Sequence, residues 1–282
     1  MENQQPNPLS KYFRQPVIHL KLPSNGQFYA DNSLIMPAEQ ELPVFPLTAR
    51  DEVTLRTPDA LINGASVVSV IQSCIPSITN AWSVPSIDID AIFIAIRIAS
   101  YGHKMGISVT CPKCTAANDY EIDLRNSLAR ITAPNFQNQY TVGSVKVKFK
   151  PQNYSLINKI NMLRFEDTKV LEQVTRSDLT DKDKLDYIKN QMQKISDLNL
   201  EGLAGSTEYI QTPDNTIVTD TNFILDFYKN VDSMTVKQLE TIYGDLIKDG
   251  GAKPEVIICG DCKDEFNTSI EFDYANFFVK GS

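Results

Sequence analysis

Two Cys-x-x-Cys pairs, Cys111-Pro-Lys-Cys114 and Cys259-Gly-Asp-Cys262, stand far apart in a chain of 282 residues. A two-residue spacer lets a tight turn aim both sulfurs of a pair at one ion. Four thiolates then close a tetrahedral shell that suits Zn2+, with bonds of about 2.3 Å. Such a shell leaves no position for water, so the metal expected here is structural and not catalytic. The expected ligands are Cys111, Cys114, Cys259 and Cys262, and Zn2+ is the one cofactor expected. A thioredoxin-like redox pair is the first alternative, but it should open a helix whose terminus lowers the thiol pKa. Thr115-Ala-Ala-Asn-Asp119 leads into a strand instead, and redox chemistry does not explain a second matched pair. An iron–sulfur cluster or two disulfides remain as alternatives.

No other residues assemble a reaction. The two histidines, His19 and His103, read as a solvated strand residue and a surface or turn residue, leaving little material for a Ser-His-Asp or Cys-His arrangement. Gly26, Gly64, Gly102 and Gly106 are isolated, and Gly202-Leu-Ala-Gly205 lacks the lysine of a phosphate loop. Asp88 and Asp90 read as first-turn acids favouring a helix dipole. Asp178, Asp181 and Asp183 lack the glycine and distal glutamate of a calcium loop. The expectation is a protein that is not an enzyme.

Short apolar runs lead into each Cys pair, Ile107–Thr110 and Val256–Ile258. Alternating residues follow them, Tyr120, Ile122 and Leu124 in one case and Phe266, Thr268, Ile270 and Phe272 in the other. A strand, a knuckle and a strand on each side is a zinc-ribbon layout. Val145, Val147 and Phe149 alternate as a further strand. Upstream, Ile18, Leu20 and Leu22 predict a strand, Asn25-Gly26 a turn, and Asp51–Thr57 another strand. Thr57-Pro58-Asp59 carries helix-start signals, interrupted at Asn63-Gly64. Ser66 is then expected to cap a helix running to Ile75, before Pro76. A second helix is expected from near Asp88 to Tyr101-Gly102. It is apolar enough to be buried, so Arg97 must reach an edge or a partner.

Between the Cys pairs the signal turns helical over roughly 153–250. Helices are expected at Leu156–Thr175, behind Thr180-Asp-Lys-Asp183 with the stripe Leu185, Ile188, Met192 and Ile195, at Asn222–Val231, and behind Thr235-Val-Lys-Gln238. The stretch 151–253 holds 17 acids and 12 bases, a net −5, which reads as a solvated helical surface or an acidic face for a basic partner. The expected fold class is α+β. An N-terminal arm and α/β region (1–102) packs on a discontinuous zinc ribbon (103–150 plus 254–282) that a helical insertion (151–253) interrupts.

A net charge of −8 argues against general nucleic-acid binding. The longest apolar run, Ala91–Ile96, falls far short of the roughly 20 residues that span a bilayer. With a polar, proline-rich N-terminus lacking a secretory signal, the chain reads as soluble and intracellular, a setting in which Cys pairs favour metal over disulfide. Cys74, within Val67–Cys74, reads as a small buried hydrophobe.

Several elements occur in an order that resembles a known family. They are Tyr12-Phe-Arg-Gln-Pro16, Leu22-Pro-Ser-Asn-Gly-Gln-Phe-Tyr29, Leu42-Pro-Val44, Thr48-Ala-Arg-Asp-Glu52, Thr57-Pro-Asp-Ala-Leu-Ile-Asn-Gly64 and Ile96-Arg-Ile-Ala-Ser-Tyr-Gly102. Over residues 10–125 the chain resembles the baseplate hub family of T-even-like contractile-tailed bacteriophages. That resemblance implies a virion structural protein or assembly factor of the tail baseplate hub, partnered by other tail and baseplate proteins. It implies a place in the virion baseplate, or in the host cytoplasm during assembly, and leaves homo-oligomers open. Tyr12, Phe13, Phe28 and Tyr29 are the candidate partner contacts. The rival reading is a zinc-ribbon nucleic-acid-binding factor. It is disfavoured because Lys104, Lys113 and Lys263 near the knuckles are offset by Asp119, Glu121, Asp261, Asp264 and Glu265.

Overall fold

The computed structural model describes residues 7–56, 64–175, 181–248 and 250–269, with the backbone only at 166–175, 181, 183 and 184. The helix start at Thr57-Pro58-Asp59, the cap at Thr180 with Asp183, and the strand ends at Ile270 and Phe272 lie outside what is described.

Strands β1 (Ile18–Leu20) and β2 (Leu42–Val44) pair antiparallel, His19 opposite Pro43. The strand expected over Asp51–Thr57 is instead the short helix α1 (Ala49–Leu55). Its cause is a reciprocal cap: Asp51 N–H donates to the Thr48 hydroxyl (3.2 Å) and Thr48 N–H to the Asp51 carboxylate (2.8 Å). Two orphan amides are satisfied there at once, which outweighs a few alternating side chains. Helix α2 (Ala65–Cys74) starts after Gly64, whose φ of +71° suits glycine. Ser66, expected as its cap, lies inside the helix and donates to the Thr54 carbonyl at 2.9 Å. Helix α3 (Ser86–Tyr101) is buried nearly all round. Arg97 is itself buried, with its guanidinium 5.6 Å over the Tyr101 ring.

Leu20, Leu22, Leu42 and Val44 meet Val67 and Ile71 of α2 and Ile92, Phe93, Ile94 and Ile96 of α3 in the larger of two cores. Two polar side chains bind the N-terminal segments to it. Arg14 donates to the Ser73 carbonyl (2.7 Å) and hydroxyl (2.8 Å) and faces Asp51 at 3.3 Å. Asp88, fully buried, accepts from Ser24 N–H (2.8 Å), the Ser24 hydroxyl (2.5 Å) and the Tyr29 hydroxyl (3.0 Å). Burial pushes the Asp88 carboxyl up to about 6, against the lowering effect of these donors.

Strands β3 (Lys104–Thr110) and β4 (Ala117–Asp123) form a long hairpin, Lys104 opposite Asp123 and Thr110 opposite Ala117. Its base, Met105 and Ile122, packs into the larger core. Leu124, expected as strand, opens helix α4 (Leu124–Ala129), which Asp123 caps by accepting from Arg125 N–H at 3.0 Å. Strands β5 (Gln139–Val142) and β6 (Val145–Phe149) then pair with each other. Helices α5 (Tyr154–Thr175) and α6 (Asp181–Gly205) follow, then strands β7 (Thr207–Gln211) and β8 (Ile217–Val218), helices α7 (Thr221–Asn230) and α8 (Ser233–Lys248), and strands β9 (Glu255–Ile258) and β10 (Glu265–Thr268).

Three sequence expectations differ here. The stretch 151–253 is not wholly helical: β7 and β8 complete a four-stranded sheet in the order β5-β6-β7-β8. Strand β6, read together with the first Cys pair, belongs to this sheet, because Val145, Val147 and Phe149 face the second core of Ile210, Ile224, Tyr228 and Leu239. The cap of α8 is Asp232, which accepts from the N–H groups of Met234 (3.1 Å) and Thr235 (3.0 Å), and not Thr235 itself. The helix begins at Ser233, so Asp232 stands at the N-cap, where Asp is among the preferred residues, and Thr235 is already the third helical residue.

Candidate metal centre

The tip of β3–β4 carries Cys111 and Cys114; the tip of β9–β10 carries Cys259 and Cys262. Both turns are built alike. Cys111 N–H donates to the Ala116 carbonyl (2.9 Å) and Thr115 N–H to the Cys111 carbonyl (3.0 Å). In the same positions Cys259 N–H donates to Asp264 (2.9 Å) and Lys263 N–H to Cys259 (3.1 Å). The residue after each second cysteine is left-handed, Thr115 at φ +59° and Lys263 at +61°. Sequence spacing alone does not show that two non-glycine residues take this strained backbone, at which the chain leaves each knuckle for the returning strand.

The four sulfurs lie within 4.8 Å of one another. Across the two hairpins Cys114 and Cys259 are 3.6 Å apart and Cys111 and Cys262 3.7 Å. Tetrahedral bonds of about 2.3 Å place sulfurs about 3.8 Å apart, so the spacing fits a four-thiolate ion. Cys111 and Cys259 are buried, while Cys114 and Cys262 face solvent. The N–H of Cys262, and then that of Asp261, hold the Cys259 thiol down at about 6 against burial. The N–H of Asp264 favours the Cys262 thiolate, yet burial and its contacts with Cys114, Cys259 and Cys111 push that thiol up to about 12. Thiols packed this closely resist ionising together. A divalent cation among them removes that conflict, because a coordinating thiol is deprotonated outright.

Residues that the sequence does not flag join the hairpins. The Asn118 amide donates to the Cys259 sulfur (3.6 Å) and the Ala116 carbonyl (2.9 Å), and its oxygen accepts from Gly260 N–H (2.9 Å). The Tyr120 hydroxyl donates to the Ile258 carbonyl at 2.8 Å. Both sit on β4, where alternation marks only a strand. Lys113, read as part of the local charge balance, pairs with Asp264 across the hairpins at 2.7 Å. Lys104 pairs with Glu121 at 2.6 Å, and Lys263 donates to the Gly260 carbonyl.

The remaining residues singled out in the sequence lie elsewhere. His19 is exposed on β1, and His103 is half-buried before β3, its carbonyl accepting from Leu124 N–H. Cys74 is buried beside Arg14, its thiol pushed up to about 12 by burial and Asp51. Asp90 accepts from Ala252 N–H at 3.0 Å. Of the candidate contact residues, Tyr12 and Phe13 are exposed, whereas Phe28 packs edge-to-face against Phe136 (5.7 Å) and Tyr29 is held by Asp88. Among the described residues no helix is long and apolar enough to cross a membrane.

The described residues form a mixed helix-and-sheet fold that gathers four cysteine thiols. The chain belongs to the family described as T4 bacteriophage base plate protein, which it matches over residues 16–279. It is therefore a structural phage baseplate protein. No curated protein and no solved structure matches it.

Proposed function

We propose that this protein is a non-enzymatic subunit or assembly factor of the baseplate hub, folded around a structural Zn2+ held by Cys111, Cys114, Cys259 and Cys262. The family match over 16–279 carries the baseplate reading. The hub assignment rests on the order of the N-terminal motifs, and the structure gives two of them physical work: Arg14 of Tyr12–Pro16 pins the arm, and Ser24 and Tyr29 of Leu22–Tyr29 grip Asp88. Convergence of the sulfurs supports the zinc. The two Cys hairpins together read as a zinc-ribbon-like unit, and the intervening residues read as an insertion carried between its halves. Its partners are then other tail and baseplate proteins, and its place is the tail baseplate, or the host cytoplasm during assembly. The nucleic-acid alternative is weaker, because Lys104, Lys113 and Lys263 are each engaged within the hairpins.

The test is co-purification against the complete set of tail and baseplate proteins, with a mass-spectrometric inventory of finished particles. Association with hub proteins is expected. Association with none of the set, or a salt-sensitive shift on DNA instead, overturns the assignment.

A further inference from the structure

Leu185, Ile188, Met192 and Ile195 run along one face of α6 at spacings of three, four and three. They keep 66, 37, 68 and 39% of their surface exposed. Helix α6 is seated on its own fold further along, through the buried Leu198, Leu203 and Ala204. The outer stripe is therefore built at the spacing that one helix uses to receive another. We propose that its occupant is a second copy of this chain, crossing α6 antiparallel about a two-fold axis.

The spacing is its own mirror. An axis beside Asn190 sets Leu185 opposite Ile195 of the second copy and Ile188 opposite Met192, so that one patch serves both sides, as an isologous dimer requires. The four residues expose roughly 400 Å² per copy; with flanking surface the pair buries about 1,000 Å², the lower bound for a specific interface. The dimer is thus weak, forming at micromolar concentrations. Exposed Lys189 flanks the stripe close to the axis and is brought near its own copy. Salt screens that repulsion, so added salt strengthens association. A foreign acidic helix on the same stripe would show the opposite salt response.

Sedimentation velocity on the full, metal-bearing protein from about 1 to about 200 µM, at low and high salt, reads this directly. The expected result is a dimer that grows with concentration and with salt. It should be lost in the double variant Leu185→Glu, Met192→Glu and kept in Phe223→Glu, a change at an equally exposed site on α7 (69%). A monomer throughout the range overturns the proposal, as does a dimer that the double variant leaves intact. Amine cross-linking in a mixture of 14N- and 15N-labelled protein checks the register without any substitution: Lys189 should join Lys189 of the other copy, and a dimer lacking that link overturns the antiparallel arrangement.

Discussion

The N-terminal core and the Cys-bearing hairpins both fix segments distant in sequence, by different chemistry. Helix α3 does it by burial: Ile92, Phe93, Ile94 and Ile96 are at most 2% exposed and touch both strands and α2. The hairpins have little to bury. Of the apolar residues on β9 only Ile257 turns inward, while Val256 and Ile258 are 58 and 59% exposed. What joins β9–β10 to β3–β4 is chiefly four sulfurs, Asn118 and Tyr120, to which the solvent-screened Lys113–Asp264 pair adds little. A pair of two-stranded sheets is marginal by itself. A metal cross-link would be the physical alternative to a larger core, and the proposed one would act between segments that no local folding event would bring together.

The contrast fails or holds first at Cys259. Cys259→Ser should abolish tight metal binding and lower the melting temperature by about 10 °C, since folding of a metal-closed unit is coupled to the metal. Phe93→Ala in α3 should cost about 3–5 kcal/mol by denaturant titration, through lost burial and a cavity. It should leave the metal content of the folded protein unchanged. If both variants lose metal equally, the two regions are not independent.

Asp88 sharpens the burial side through pH. In the fold its carboxyl titrates at about 6, because burial disfavours the charge. The unfolded chain titrates near 3.9. Its contribution is therefore full below about pH 4 and lost as pH rises through 6, a fall of about 3 kcal/mol. The difference between wild type and Asp88→Asn, measured by denaturant unfolding from pH 4 to 7, should change in that direction; a constant difference contradicts it. The smallest effect belongs to Lys113→Ala. Its partner bond with Asp264 is solvent-screened, so melting temperature and metal content should be unchanged within error.

The convergence of the four cysteines was legible because two pairs with a two-residue spacer, each led in by a strand, can turn their sulfurs toward one point. Helix α3 was legible because its apolar run has no other use. Strand β7 was hidden: Thr207-Glu-Tyr-Ile-Gln211 follows a long helix directly and owes its strand state to β6, which precedes it by some sixty residues. Helix α1 was misread because a capping box of two side chains settles a segment that alternation describes poorly. Asn118 and Asp88 carry no sequence signal for the contacts they make. Asn118 reaches a cysteine on the other hairpin, and Asp88 holds a loop more than fifty residues upstream.

One metal ion is proposed to join the two Cys hairpins. Elemental analysis of the purified chain, paired with melting before and after chelation, tests it most directly. The expected result is about one Zn2+ per chain, with a melting temperature that falls on chelation and recovers when zinc is returned. A metal-free protein with four reactive thiols, melting identically with and without chelator, would contradict it.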